Sequence, residues 1–164
     1  FLIWEYFYKQ LAKAGKHLAL EKGIMIHGGG WKNLSEEAVD DKTFKRLLEV
    51  VCGIKRVYNY YGMVEQTGSI FLECEAGYLH SSIFSDIRIL RTDFSTCGTH
   101  EIGLVQLSSI LPSSYPGHII LSEDTGEIMG EDDCSCGRLG KYFQIHGRVM
   151  HAEIRGCGDT HESI

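Results

Sequence analysis

Several residue groups in this chain have the types and spacing to do chemistry. Cys74 and His80 lie six positions apart, and Cys134 and Cys136 lie two apart. Three thiolates and one imidazole complete a tetrahedral Zn2+ shell. A Cys-x-Cys pair can chelate one ion and is too close for an easy mutual disulfide. Two ordinary buried thiols and a surface histidine also fit that spacing. The second group is Tyr61-Gly62-Met63-Val64-Glu65. A glycine after a strand lets a flat base or a phosphate approach the backbone. An aromatic ring can stack on the base, and a carboxylate can hold Mg2+ beside phosphates. A plain Tyr-Gly turn with a solvated glutamate also fits. In the third group, Glu123-Asp124-Thr125-Gly126, the aspartate either bonds its own turn backbone or presents acceptor oxygens to a ligand. The fourth is Cys157, flanked by Gly156 and Gly158. Arg155 nearby favours the thiolate there, although a free tail thiol of no consequence has the same sequence. The run Gly28-Gly29-Gly30 marks a place where the backbone needs room, or a simple strand-to-loop transition.

These groups need elements to position them. Trp4, Phe7, Leu11, Ala14 and Leu18 recur at steps of three and four, which predicts one apolar helix face turned to the core, stopped by Gly23. Ile24, Met25 and Ile26 predict a short buried strand ending in the glycine run. A second helix follows Asp40 and Asp41, buries Phe44, Leu47, Leu48 and Val51, and ends at Gly53. From Val57 onward short β-type runs alternate with turns: 69–72, 86–90, 103–107, 118–121 and 142–145. Helix, strand and helix followed by many strands predict an α/β lobe running into a β-rich lobe.

Composition narrows the function. The chain has 164 residues, 43% of them hydrophobic, and a formal net charge of -6. No basic stripe is present, so nucleic acid is not an expected partner. Glu5 and Lys9 interrupt the opening apolar run, which therefore reads as neither signal peptide nor membrane span. The chain starts at Phe1 and reads as a fragment of a longer protein. Six cysteines in a chain with a real core point to a reduced, cytoplasmic compartment. His27, His100, His118, His146, His151 and His161 have no pairing that spacing supports and read as solvated or satisfied.

The run from Tyr60 to Gly68 resembles the Tyr-Gly-x-Thr-Glu motif of adenylate-forming enzymes, which include acyl-CoA synthetases and phenylacetate–CoA ligases. The resemblance implies that Tyr61 and Gly62 lie against adenine and that Glu65 coordinates Mg2+. Val64 stands where the motif carries a phosphate-contacting threonine, leaving Gln66 or Thr67 to make that contact. Leu121 to Gly126 resembles the family's strand–Asp–turn element, which gives Asp124 to the ribose hydroxyls. Phe143 to Arg148 resembles the strand before the hinge, which gives Arg148 to phosphate or ribose. Val149, Met150 and His151 replace the usual acidic hinge residue. His27 to Lys32 resembles the glycine-rich border of the acyl and adenine pockets, with Gly29 and Gly30 at the nucleotide. Phenylacetate–CoA-ligase-like proteins carry similar Cys…His and Cys-x-Cys-Gly-Arg elements around a structural zinc.

Taken together, the chain resembles the C-terminal part of an acyl-protein synthetase of the LuxE type. That resemblance implies an α/β nucleotide-binding lobe over 1–110 and a β-rich lobe with hinge and short tail over 111–164. It implies ATP and Mg2+ as cofactors, a fatty or related carboxylic acid as substrate, and acyl-AMP as intermediate. Cys157 is the implied acyl acceptor, and an acyl-CoA reductase or acyl carrier the implied partner. Two other readings stay open: transfer of the acyl group to coenzyme A, and a zinc-stapled binding module without catalysis.

Overall fold

A computed structural model describes residues 3–29 and 36–149 of the chain. Gly30 and Cys157 therefore lie outside the described residues, as do Met150 and His151. The chain opens with a π-helical stretch, Ile3–Lys9, that continues as α1 (Gln10–Lys13). It then forms β1 (Ile24–Gly28), α2 (Asp41–Cys52), β2 (Arg56–Tyr61), β3 (Phe71–Glu73) and β4 (Leu79–His80). β5 (Ser85–Leu90), β6 (Gly103–Ser109), β7 (Ile119–Glu131) and β8 (Lys141–Arg148) follow. All eight strands join one sheet in the order β1-β2-β3-β4-β8-β7-β6-β5. β1 and β2 are parallel with α2 as their crossover, and every other pairing is antiparallel. The mixed α/β class expected from the sequence is what forms. Residue 110 falls between β6 and β7, which pair with each other.

α2 forms as its sequence dictates. The Asp40 carboxylate accepts from Thr43 N–H at 2.9 Å and caps the first turn. Gly53 closes the helix at φ 73°, a left-handed conformation that glycine adopts without steric cost. Phe44, Leu48 and Val51 are buried. Leu48 and Cys52 pack with Trp4, Ile54 and Val57 into one core. A second core gathers Phe71, Ile87, Ile89, Val105, Leu107 and Phe143 between the later strands. Leu48 is fully enclosed, so Leu48→Ala is expected to cost about 2–5 kcal/mol of stability. A lower urea midpoint checks this; an unchanged one would mean that α2 does not pack on this core.

Three expectations are corrected. The first helix does not reach Leu18: it ends at Lys13, and Gly15 at φ 61° turns the chain out of it. Leu18 and Leu20 instead donate their N–H groups to the carbonyls of Val51 and Cys52, at 2.9 and 3.0 Å. Those are last-turn carbonyls of α2, which have no partner inside the helix. β1 is not a buried strand either. α2 covers one of its faces, while Ile24 and Ile26 on the other face are each 57% exposed. The third correction concerns Glu123 to Gly126, which lies inside the long strand β7 and not at a turn. A bulge between Thr125 and Gly126 re-aims the strand there. Gly126 permits it, because a Cβ at that position would sit 2.5 Å from the Gln144 carbonyl oxygen of β8.

Candidate nucleotide cluster and metal centre

Tyr61 is the last residue of β2, Asp124 stands in β7, and Arg148 ends β8 directly opposite Asp124. The sheet brings these three predicted residues together. The Tyr61 hydroxyl donates to Asp124 Oδ2 at 2.6 Å. Arg148 Nε lies 4.0 Å from Asp124 Oδ1, and its Nη1 lies 3.7 Å from Glu123 Oε2. Burial, and then the hydrogen bond to Asp124, push the Tyr61 phenol far above its ordinary pKa, so it stays a donor. Ser122 Oγ accepts from the Asp124 N–H at 3.1 Å and fixes that backbone. Asp124 is thus oriented through one oxygen and beside a guanidinium through the other. A carboxylate held this way accepts hydroxyl donors with little reorganisation.

Glu65 follows on a single 3-10 turn, Val64–Gln66, and its side chain is exposed. Gly62 leads into the turn where a Cβ would lie 3.0 Å from the Ser69 carbonyl oxygen. Gly29 stands at φ 85° with open space around it. Of the two residues expected to replace the motif's threonine, one is buried and the other is exposed with its hydroxyl turned to the backbone. Gln66 is fully buried and donates to the Gly117 carbonyl at 2.9 Å. The Thr67 hydroxyl donates to the Val64 carbonyl at 2.9 Å.

The second group lies at the other end of β8. Among the described residues, Cys74, His80, Cys134 and Cys136 place four ligand atoms all within 4.8 Å of one another. Cys74 Sγ and Cys134 Sγ are 3.9 Å apart, and Cys136 Sγ is 3.4 Å from His80 Nε2. Zn–S bonds of ~2.3 Å and Zn–N bonds of ~2.0 Å give tetrahedral edges of about 3.5–3.8 Å. The separations therefore suit zinc and are far beyond a disulfide bond. Both cysteine loops close in the same way. Gly77 donates to the Cys74 carbonyl and Gly137 to the Cys134 carbonyl, each at 2.9 Å, with φ of 84° and 79°.

Electrostatics suit the same purpose. Burial, with the Arg138 charge second, lowers the His80 pKa and keeps the imidazole neutral, as a metal ligand must be. Burial pushes the Cys134 thiol up to about 11. Cys136 shifts the other way: desolvation opposes its thiolate, but the Arg138 N–H and the neighbouring thiols outweigh it. β8 has eight residues, so at roughly 3.3 Å per residue this group sits on the order of 20 Å from Arg148.

The sequence profile of the LuxE acyl-protein synthetase family matches residues 1–163. The chain belongs to the LuxE family. No curated protein matches the sequence. Solved structures share its fold. Apo MatB from Rhodopseudomonas palustris aligns at TM-score 0.57 and 15% identity, over 88% of this chain and 30% of that one. McyG A-PCP complexed with phenylalanyl-adenylate aligns at 0.56 and 17%, over 88% and 28%. A long-chain-fatty-acid-CoA ligase, FadD1, from Archaeoglobus fulgidus aligns at 0.55 and 13%, over 88% and 32%. This LuxE-family chain spans about a third or less of the length of each. The likeness is one of fold.

Sequence reasoning missed some residues around this LuxE-family cluster. Tyr115 donates its hydroxyl to the Glu65 carbonyl at 2.7 Å, yet Tyr-Pro-Gly at 115–117 signals only a turn. His146 and His100 were expected to have no pairing. Both face Glu127: His146 Nε2 at 2.9 Å and His100 Nδ1 at 3.9 Å. β8 pairing with β7 makes the first contact and the loop before β6 the second, which spacing along the chain does not encode. No helix among the described residues is long and apolar enough to cross a membrane.

Proposed function

We propose that this chain carries the nucleotide-binding part of an ATP-dependent acyl-protein synthetase. The observation that supports it most is the Tyr61–Asp124–Arg148 cluster, made by three separate strands. In this reading the Tyr61 ring, Gly62, Gly29 and Gly30 border adenine. Asp124 accepts the ribose hydroxyls and Arg148 reaches phosphate. The exposed Glu65 carboxylate is a hard oxygen donor of the kind Mg2+ prefers. Mg2+ there would offset negative charge on the phosphates. The substrate carboxylate attacks the α-phosphorus of ATP, forming an acyl-AMP and releasing pyrophosphate. A cysteine thiolate, Cys157 in this reading, then attacks the acyl carbonyl and AMP leaves. A reductase or acyl carrier in a reduced, cytoplasmic compartment receives the acyl group. The lobe division at residue 110 and a structural zinc on Cys74, His80, Cys134 and Cys136 belong to the same proposal.

The full-length protein with ATP, Mg2+ and labelled fatty acid tests it. Carboxylate-dependent ATP–pyrophosphate exchange is expected, together with label on a protein thiol that Cys157→Ser abolishes. Label retained by that variant would remove Cys157 from the scheme. Label on added coenzyme A and none on protein would make the enzyme a coenzyme A ligase. Absence of exchange with every carboxylate tried would end the enzyme reading.

A further inference from the structure

The turn that carries Glu65 is short, and its own hydrogen bonds are few. Gln66 N–H donates to the Met63 carbonyl at 3.1 Å, and the Thr67 hydroxyl to the Val64 carbonyl at 2.9 Å. Three residues of 3-10 helix hold an orientation poorly by themselves. Here the loop between β6 and β7 lies against the turn and adds hydrogen bonds from far away in sequence. The Tyr115 hydroxyl donates to the Glu65 carbonyl at 2.7 Å and accepts from the Thr67 N–H at 3.1 Å. Gln66 Nε2 reaches back to the Gly117 carbonyl at 2.9 Å. One hydroxyl therefore serves as donor and acceptor to the two residues flanking the buried Gln66.

The loop is shaped for this contact. A Cβ at Gly117 would lie 2.3 Å from the Tyr115 ring and 3.0 Å from the Glu65 carbonyl oxygen. The ring and the turn occupy the space a side chain would take. Tyr115 is 39% exposed and belongs to neither hydrophobic core. Burial does not explain a tyrosine here; its hydroxyl does. Two residues after Gly117 the chain enters β7, the strand of Asp124.

We infer that Tyr115 is a positioning residue: its hydroxyl sets the backbone of the Glu65 turn relative to the strand that carries Asp124. This rests on the proposed Mg2+ role of Glu65. A metal carboxylate misplaced by about 1 Å loses much of its effect, with losses on the order of 100-fold known for such shifts.

The test uses Tyr115→Phe in the full-length protein, which keeps the ring over Gly117 and deletes both bonds. The Mg2+ concentration for half-maximal ATP–pyrophosphate exchange is expected to rise about 5–10-fold, with the thermal midpoint lowered only slightly, since the two hydrogen bonds lost are exposed and of modest net strength. In a Glu65→Gln background the same change is expected to alter exchange less than about twofold, because the residues act as a unit. An equal loss in both backgrounds would overturn the inference while leaving the role of Glu65 intact. A lower midpoint with unchanged Mg2+ dependence would overturn it too, by making the contact merely structural. If Glu65→Gln alone leaves exchange and its Mg2+ dependence unchanged, the Glu65 role fails and this inference fails with it.

Discussion

Replacing Cys134 with serine, or stripping metal with a chelator, is expected to destabilise the full-length protein by about 4–5 kcal/mol or more. The reason lies in how thin the sheet is where the candidate metal ligands sit. β2 meets β3, β3 meets β4, and β4 meets β8, each at only two register positions. β4 itself is two residues long. On one side of that seam lies the core of Trp4, Phe44 and Leu48. On the other lie β5 to β8, whose pairings are long. Cys74 and His80 come from the β3–β4 hairpin, and Cys134 and Cys136 from the β7–β8 connection. A metal bound by all four crosses the seam with strong bonds where few backbone hydrogen bonds exist. Structural zinc sites commonly supply folding energy outright. Urea unfolding with and without chelator measures the loss, and metal analysis should find about one zinc per chain. A metal-free protein with the same urea midpoint would make the four residues a coincidence of packing.

The largest expected effect on activity comes from Asp124→Ala. Its carboxylate faces the Tyr61 hydroxyl and the Arg148 guanidinium. Removing it leaves a half-buried phenol without its acceptor and takes two oxygens from the proposed ribose site. Hydrogen bonds to a charged group are worth about 1.5–3 kcal/mol each. Two lost together lower ATP–pyrophosphate exchange by roughly 100-fold or more, with a raised KM for ATP. Asp124→Asn keeps one carbonyl oxygen for Tyr61 and loses less, about tenfold. An Asp124→Ala protein that is folded by circular dichroism and exchanges at the parental rate would remove this residue from nucleotide binding.

How much of this was legible depended on distance along the chain. α2 was legible because cap, face and stop are local: Asp40, Phe44, Leu48, Val51 and Gly53 all lie within one helix. The end of the first helix was not, because Gly15 breaks it inside an unbroken apolar period. Apolar Ile24 and Ile26 read as buried, but exposure depends on which layer covers each face. Asp124 looked like a turn residue because Asp, Thr and Gly favour turns, and a bulge uses the same residues for the same reason. Its partners Tyr61 and Arg148 were found through the order of motifs. Tyr115 escaped because its role depends on a contact fifty positions away. The four candidate metal ligands stood out in the sequence by their types, and only the adjacency of β4 and β8 brings them together.

The order of those ligands also imposes a schedule on synthesis. Cys74 and Cys134 are separated by 60 positions. A ribosome adding roughly 5–20 residues per second needs about 3–12 s to span that gap. During those seconds the α2 core is already complete in sequence, since its members end at Val57. The first thiol and imidazole have emerged, but their partner thiols have not yet been made. In the zinc proposal, capture by the full set is therefore a late step that follows the β7–β8 connection. Until then the early half of the chain carries only half of the proposed site, with Cys74 open to oxidation.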